Sequence, residues 1–429
     1  MQPIFQEQIN MWKDFGFDIP IIEGTYWLDN GIIKAFTPDG ELHKLYKYKV
    51  LDDLSISITE HKDFKDTIKP CFSHDKFETW EETYQRLKPE LHIKINESLG
   101  VIRQTVEDYS DYDKYILTST GKDSMITLDL VHKIAPDISV VFNNTSLDCA
   151  DTYRMVKSHI DWIITNPVEG FYTWIEKYNF IPQRMARSCC SVFKEGNGDK
   201  YFEEKNIKKL LTFMGIRNDE STARANREYI THSPKWGDKD WYGCLPIRKW
   251  TDLDVWLYIL HFNIEINPKY KKGYSRCGCA IACPFATKNT WTLDKYWYPK
   301  MRERWERILT ESFIKNNRWT RMNCTKDEYL MCWNGGLLRP DPTEEVIREM
   351  MKYKGITDYE VAKKYFNKTC SDCGKNVRQN DVLAMNMKIY GRNITEFKCK
   401  KCLMKDLNMN KDGWNEKVKD FKAQGCTLF

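Results

Sequence analysis

Apolar residues in the middle of the chain recur with two different periods. Four short apolar runs predict buried β-strands, at residues 115–118, 138–143, 162–165 and 210–214. Between the first three runs, apolar residues return at every third or fourth position, which predicts helices. This alternation over residues 110–290 is typical of an α/β fold with helices on both faces of a parallel sheet.

Polar stretches follow three of these predicted strands, at residues 119–124, 143–148 and 215–221. The carboxyl ends of parallel strands share one edge of a sheet, and ligands bind outside that edge. We therefore expect the chemistry of the chain to be found in these stretches.

Other patterns surround this region. Asn30-Gly31 and Asp39-Gly40 interrupt apolar runs and predict β-hairpins, whereas residues 77–109 carry a helical period. The sequence predicts four parts, which are a β-hairpin unit at 1–76, an α/β domain at 77–290, a helical extension at 291–366 and a cysteine-rich tail at 367–429.

Composition limits the function classes. The 429 residues include 66 Lys and Arg against 61 Asp and Glu, so the net charge of +5 permits a nucleic-acid partner without demanding one. The first residues are polar, and no apolar run is long enough for a membrane helix, so we expect a soluble, cytoplasmic protein. In a reducing compartment the 15 cysteines serve more often as metal ligands or reactive thiols than in disulfides.

The stretch that follows the strand at 115–118 has phosphate-binding character. A turn leads directly into a helix, whose first N–H groups and dipole attract anions. It is not a Walker A loop, because Ile116 and Asp123 stand where that motif requires Gly and Ser or Thr. Its Ser-x-Gly-Lys-Asp-Ser pattern resembles the PP-loop of the ATP-pyrophosphatase superfamily, whose members act at the α-phosphate. The predicted nucleotide-binding residues of this loop are Ser119, Thr120, Gly121, Lys122, Asp123 and Ser124.

A second candidate is the loop at 215–224. Arg217 and Arg224 carry planar guanidinium groups suited to phosphate or sulfate, with Glu220 and Ser221 between them. The alternative is a solvated loop whose charges pair with each other.

Two cysteine groups form a third candidate. Cys189 and Cys190 are adjacent, a spacing that disfavours a disulfide between them. Cys277, Cys279 and Cys283 precede Pro284, a pattern typical of iron–sulfur ligation. The alternative is a set of buried free cysteines.

The order of these motifs resembles the phosphoadenosine phosphosulfate (PAPS) reductase family over roughly residues 110–290. The motifs that follow the PP-loop along the chain are Cys-Cys-x-x-x-Lys, Gly-Ile-Arg-x-x-Glu-Ser-x-x-Arg, Pro-Ile-x-x-Trp-x-x-x-Asp-Val-Trp and Gly-Tyr-x-Arg-x-Gly-Cys…Cys-Pro-Phe. The resemblance implies a five-stranded parallel sheet, an adenine nucleotide site and a nearby [4Fe–4S] cluster. The implied cluster ligands are Cys189, Cys190, Cys279 and Cys283.

Two departures from the family pattern matter. The later cysteine pair is Cys-x-x-x-Cys, which leaves Cys277 as an alternative ligand. The PP-loop is also complete, as in members that use ATP, whereas reductases of PAPS or adenosine phosphosulfate (APS) often have a degenerate loop. This favours adenylation over reduction.

The tail holds two Cys-x-x-Cys pairs, a spacing that predicts a structural Zn²⁺ site of the zinc-ribbon type. Its ligands would be Cys370, Cys373, Cys399 and Cys402. Lys398, Lys400 and Lys401 make nucleic acid a candidate partner, and a purely structural role is the alternative. Cys426 is either a nucleophile like the C-terminal cysteine of sulfonucleotide reductases or an incidental thiol.

The leading functional hypothesis is an enzyme that uses ATP and Mg²⁺ to adenylate an acceptor, which then receives sulfur from a donor protein. Its predicted catalytic residues are Lys122, Asp123, Arg217 and Arg224. The alternatives are reduction of PAPS or APS, and a nucleotide-dependent nucleic-acid-binding module without catalysis.

Overall fold

The computed structural model describes most of the chain in two compact units. The units are Met1–Arg302 and Glu303–Phe429. The described residues are 1–69, 72–184, 186–221, 224–279, 281–334, 341–377, 380–391, 394, 396–424 and 426.

The first unit begins with an antiparallel five-stranded sheet, which confirms the predicted N-terminal β unit. Its strands are β1 (Gln2–Pro3), β2 (Trp27–Asp29), β3 (Ile32–Phe36), β4 (Leu42–Val50) and β5 (Ile56–Glu60), in that spatial order. Asn30 and Gly31 turn the β2–β3 hairpin with φ angles of 48° and 74°, as the Asn-Gly pair predicts. Helix α1 (Gln6–Asp14) supplies Ile9, Met11 and Trp12 to the core beneath this sheet.

A long helix, α2 (Trp80–Asp108), follows where the sequence predicts one. It begins with a capping box, in which the Glu82 N–H donates to the Thr79 hydroxyl at 3.2 Å and the Thr79 N–H donates to the Glu82 carboxylate at 2.7 Å. Such reciprocal bonds satisfy donors that the first helical turn leaves free.

The second sheet contains the five parallel strands that were predicted and one antiparallel edge strand. Its spatial order is β10-β11-β9-β6-β7-β8, and only the β10–β11 pair is antiparallel. The strands are β6 (Asp113–Thr118), β7 (Ser139–Asn143), β8 (Ile163–Thr165), β9 (Lys209–Met214), β10 (Ile230–Thr231) and β11 (Asp240–Cys244). The pattern did not assign β11, because its Asp-Trp-Tyr-Gly-Cys sequence contains a glycine, which is unfavourable inside a strand.

The next helices are α3 (Lys122–His132), α4 (Ala150–Ser158), α5 (Phe171–Tyr178), α6 (Gly196–Glu204), α7 (Asp252–His261), α8 (Lys288–Trp297) and α9 (Pro299–Lys315). Of these, α3, α4, α6 and α7 supply core residues to this sheet, whereas α8 contacts β4 of the first sheet. Buried Ile116, Ile126, Val140, Phe213 and Trp256 belong to one hydrophobic cluster. The boundary between the two units lies within α9.

The second unit is helical. Its helices are α10 (Arg318–Met322), α11 (Lys326–Cys332), α12 (Glu344–Lys354), α13 (Tyr359–Asn367), α14 (Asn380–Tyr390), α15 (Lys400–Asp406) and α16 (Lys411–Ala423). Met385, Leu403 and Trp414 are fully buried in the core of the cysteine-rich tail. Among the described residues, no helix combines the length and the hydrophobicity that crossing a membrane requires.

Candidate active site

The loop between β6 and α3 presents free backbone donors at the carboxyl edge of the parallel sheet. β6 ends at Thr118 and α3 begins at Lys122. Within the described part of the chain, the N–H groups of Gly121, Asp123 and Ser124 donate to no acceptor. These donors and the helix dipole together favour a bound anion.

Thr120 holds this loop in a strained conformation. Its φ angle is 57°, in the left-handed region that β-branched residues avoid. Its hydroxyl donates to the Ser119 carbonyl at 2.7 Å and accepts from the Asn267 amide at 2.8 Å, and the residue is fully buried. Strain of about 1–3 kcal/mol persists only where neighbours enforce it, and it is concentrated at ligand sites.

Tyr270 and Cys277 line the inner side of the loop. The Lys122 N–H donates to the Tyr270 hydroxyl at 3.0 Å, and the Cys277 thiol donates to the same hydroxyl at 3.4 Å. A side chain at Gly121 would place its Cβ 3.6 Å from the Cys277 sulfur. The thiol of Cys277 therefore lies against the loop between β6 and α3, and burial raises its pKa.

Lys122 and Arg217 form a charge network with two carboxylates. The Lys122 ammonium lies 3.1 Å from Asp123 and 3.3 Å from Asp252, and the Arg217 guanidinium contacts the same two carboxylates, each at 2.5 Å. Burial alone would raise the pKa of Asp252, but the charges of Lys122 and Arg217 outweigh it and lower that pKa. Both cations are buried, so the network positions Lys122 at the helix N-terminus.

The remaining charges of the 215–224 loop pair with one another. Arg224 forms an ion pair with Glu220, whose carboxylate also accepts the Arg217 N–H at 3.1 Å. Ser221 is exposed, and its carbonyl accepts the Arg224 N–H at 2.9 Å. The structure thus places Arg217 at the PP-loop, whereas Arg224 contacts its own loop.

Gly215 allows the end of β9 to approach the PP-loop closely. A Cβ at this position would lie 2.4 Å from the carbonyl carbon of Asp123 and 2.5 Å from the nitrogen of Ser124. These are backbone atoms, which cannot move aside as the end of a flexible side chain can. Position 215 therefore requires glycine.

We therefore expect Gly215→Ala to destabilise the first unit by about 1–3 kcal/mol, the usual effect of overpacking. Gly170→Ala is the matched control, because a Cβ at Gly170 would meet no atom within 4 Å. Urea unfolding of both variants checks this expectation, and equal midpoints would contradict it.

The two cysteine motifs of the first unit lie on segments that contact each other, because the Arg184 guanidinium donates to the Pro284 carbonyl at 3.3 Å. The neighbouring Cys190 thiol, burial and the charges of Cys279 and Cys283 raise the pKa of Cys189. The Cys189 thiol and the nearby Lys194 lower the pKa of Cys190. Cysteine thiolates are the usual ligands of iron–sulfur clusters, and the assignment of these four cysteines to a cluster stays a prediction.

We expect Cys279→Ala to lose most of the iron of anaerobically purified protein. Cys277→Ala is the control, because the Cys277 thiol contacts Tyr270 and the PP-loop instead. Iron per chain and visible absorbance measure both effects. Iron retained in the Cys279 variant and lost in the Cys277 variant would reverse the ligand assignment.

The tail brings its four predicted ligands together. The sulfur atoms of Cys370, Cys373, Cys399 and Cys402 all lie within 4.8 Å of one another. Tetrahedral Zn²⁺ with Zn–S bonds of about 2.3 Å places its sulfurs about 3.8 Å apart, and the Cys373 and Cys399 sulfurs are separated by 3.6 Å. The group can therefore hold one metal ion.

The lysines beside this group differ in their surroundings. Lys398 forms ion pairs with Asp372 and Asp406, which offset its charge. Lys400 lies over the Trp414 ring, 5.0 Å from its centroid, and Lys401 is exposed. A nucleic-acid contact through these lysines stays a prediction. Cys426 packs against the core of the same unit.

Sequence reasoning missed three residues of the site, namely Asp252, Asn267 and Tyr270. Asp252 lies within the Pro-Ile-x-x-Trp-x-x-x-Asp-Val-Trp motif. It directly follows Thr251, the N-cap of α7, and this position was the only local sign of its role. Asn267 and Tyr270 carry no local signal, because their partners Thr120 and Lys122 are more than 140 positions earlier.

Comparison with known proteins supports this picture. The phosphoadenosine phosphosulfate reductase domain matches residues 114–284. An adenosine 5'-phosphosulfate reductase of Staphylococcus haemolyticus is 30% identical over 172 residues, which cover 38% of this chain and 68% of that protein. An uncharacterized protein of Methanocaldococcus jannaschii is 34% identical over 225 residues, or 51% of this chain and 46% of that protein.

Solved structures show weaker similarity. A phosphoadenylyl-sulfate reductase from Candida auris aligns with a TM-score of 0.35 and 19% identity, over 43% of this chain and 88% of that one. The U34-tRNA thiolase NcsA from Methanococcus maripaludis, solved with its [4Fe–4S] cluster, aligns with a TM-score of 0.31 and 14% identity, over 59% of this chain and 82% of that one. Similarity at this level says nothing about what this chain binds.

The strand–loop–helix at the carboxyl edge of a parallel sheet is that of a PP-loop α/β protein. With the domain match and the relatives above, the chain belongs to the phosphoadenosine phosphosulfate reductase family. It spans about half the length of the first M. jannaschii relatives, 46% of one and 57% of the other.

Proposed function

We propose that this protein binds ATP at the PP-loop and transfers its AMP to an acceptor, which then receives sulfur. The observation that carries this proposal is the complete loop, in which three free N–H groups and the buried Lys122 ammonium lie at the N-terminus of α3. This is a site for the β- and γ-phosphates of a nucleotide.

The chemistry follows from these donors. An acceptor oxygen attacks the α-phosphorus, the bond to the bridging oxygen breaks, and pyrophosphate leaves with the electron pair. Lys122 and the loop amides stabilise the negative charge on the departing pyrophosphate. The carboxylates of Asp123 and Asp252 are oxygen ligands suited to Mg²⁺. Sulfur then displaces AMP from the activated acceptor.

Arg217 acts as a positioning residue in this scheme. Its guanidinium contacts Asp123, Asp252 and the Trp250 carbonyl, so its donors are occupied by the protein. The Cys189, Cys190, Cys279 and Cys283 thiols would hold an iron–sulfur cluster, which supplies a site for sulfur or electrons.

Reduction of APS is the second candidate, because several relatives are named adenosine 5'-phosphosulfate reductase. Ion pairing does not separate the two reactions, because carboxylates engage Lys122 as well as Arg217 and Arg224. The complete Ser-x-Gly-Lys-Asp-Ser pattern of the PP-loop favours the ATP-dependent reaction.

One set of assays separates these functions. Anaerobically purified protein is given ATP and Mg²⁺ with total cellular nucleic acid or a small-molecule extract as acceptor, and pyrophosphate is measured. Parallel reactions contain APS or PAPS with a thiol reductant, and sulfite is measured. We expect pyrophosphate from ATP. Sulfite release without pyrophosphate would establish reduction, and ATP binding without either product would indicate a binding module.

A further inference from the structure

A small pocket lies beside the motif that contains Cys279 and Cys283, between the loop that carries these cysteines and the start of α8. Its volume is about 30 Å³, which is room for about two water molecules. The lining residues include Lys269, Tyr274, Arg276, Cys279, Cys283 and Asn289, and none of the residues that line it is acidic. The pocket is separate from the donors of the PP-loop.

Lys269 is the main reason to expect a ligand here. Its side chain is only 3% exposed, yet among the described residues its ammonium makes one hydrogen bond, a long one of 3.4 Å to the Gly278 carbonyl. It also lies 4.5 Å from the centroid of the Tyr274 ring. An ammonium has three donors, and burying a charge without partners is costly.

Among the described residues, no carboxylate lies within 4.0 Å of the Lys269 ammonium. Asp148 and Asp294 interact with its charge from farther away. The Asp294 carboxylate already accepts a hydrogen bond from the Tyr274 hydroxyl at 2.8 Å. The buried charge therefore lacks a close counterion.

Other groups at the pocket also favour an anion. Arg276 is exposed, and its guanidinium forms no hydrogen bond or ion pair with the described part of the chain. The Asn289 amide oxygen accepts from the Tyr48 hydroxyl at 2.6 Å, which leaves the amide N–H groups as donors. Asn289 is in the first turn of α8, where the helix dipole is positive.

We propose that this pocket binds a small inorganic anion, and that the physiological ligand is hydrosulfide, the sulfur donor of the reaction. The assignment of hydrosulfide rests on the proposed function, whereas the anion site rests on Lys269 and Arg276. A volume of about 30 Å³ suits a small inorganic anion. A ligand held here lies next to Cys279 and Cys283, the thiols expected to hold the cluster.

Chloride is the probe for the site. The excess ³⁵Cl NMR linewidth of the anaerobically purified full chain is measured against chloride concentration, and sulfide is then added as competitor. We expect Lys269→Met to weaken chloride binding by about tenfold or more, as loss of a charge-assisted contact predicts. Arg276→Gln should weaken chloride binding by a smaller factor. Lys208→Met should leave it unchanged, because Lys208 is exposed and has no ion pair with any described residue.

The outcomes separate the claims. Equal chloride binding in the wild type and Lys269→Met would overturn the site. If Lys269→Met does not fold, Arg276→Gln decides, because the Arg276 side chain is exposed and forms no hydrogen bond or ion pair with the described residues. Sulfide that fails to displace chloride would overturn hydrosulfide as the ligand. Pyrophosphate release is measured in the same variants. Release of pyrophosphate without chloride binding would refute the anion site and leave the proposed function standing. Chloride binding without release of pyrophosphate would refute the proposed function and leave the anion site standing.

Discussion

Replacing Lys122 with methionine is expected to weaken ATP binding by about tenfold to a hundredfold and to abolish measurable pyrophosphate release. A hydrogen bond to a charged group contributes about 1.5–3 kcal/mol, and each 1.4 kcal/mol corresponds to about tenfold in affinity. The effect on release should exceed the effect on binding, because charge on the pyrophosphate grows as the bond breaks.

Calorimetry with ATP and Mg²⁺ measures the affinity, and a pyrophosphate assay measures release. Lys208→Met is the matched control, since it removes the same charge from an exposed position of the same unit. Because Lys122 contacts Asp123 and Asp252, urea unfolding of the variant is measured alongside. Unchanged ATP affinity in a folded Lys122 variant would show that the nucleotide does not bind at this loop.

Features that depend on neighbouring residues were predictable from the sequence. The strand–turn–helix around Lys122 is local, and the apolar runs placed four of the five parallel strands to within a few residues. The Asn30-Gly31 turn is equally local, because both residues adopt the left-handed conformation that this pair favours. The cysteine pairs of the tail also converge as their spacing predicts.

Features that depend on distant parts of the chain were not predictable. Asn267 and Tyr270 reach the PP-loop from positions more than 140 residues later, and their identities carry no sign of that contact. The ion pairs of Arg217 with carboxylates from α3 and α7 were not predicted either, and its role as a ligand-binding group stays a prediction. Cys277 shares a motif with Cys279, yet its thiol faces the loop. Pairing between remote elements determines each of these arrangements.

The largest effect on stability is expected in the tail, where we predict one Zn²⁺ at the four cysteines and unfolding of α14 to α16 when it is removed. Binding of a structural Zn²⁺ contributes about 10–16 kcal/mol, which is comparable with the whole stability of a small domain, about 5–15 kcal/mol. The apolar core around Trp414, Met385 and Leu403 is small, so it should not maintain the fold by itself. We therefore expect Cys373→Ser to lose the zinc and to expose the tail to proteolysis.

The experiment uses the full chain, with zinc measured by mass spectrometry and unfolding followed by hydrogen exchange of residues 367–424. Cys426→Ser is the matched control, because Cys426 packs against the same core but lies outside the group of four sulfurs. ATP binding by the first unit should persist in both variants, since Lys122 and its contacts belong to Met1–Arg302. A protected, zinc-free tail in the Cys373 variant would show that its core is sufficient and that these cysteines serve another purpose.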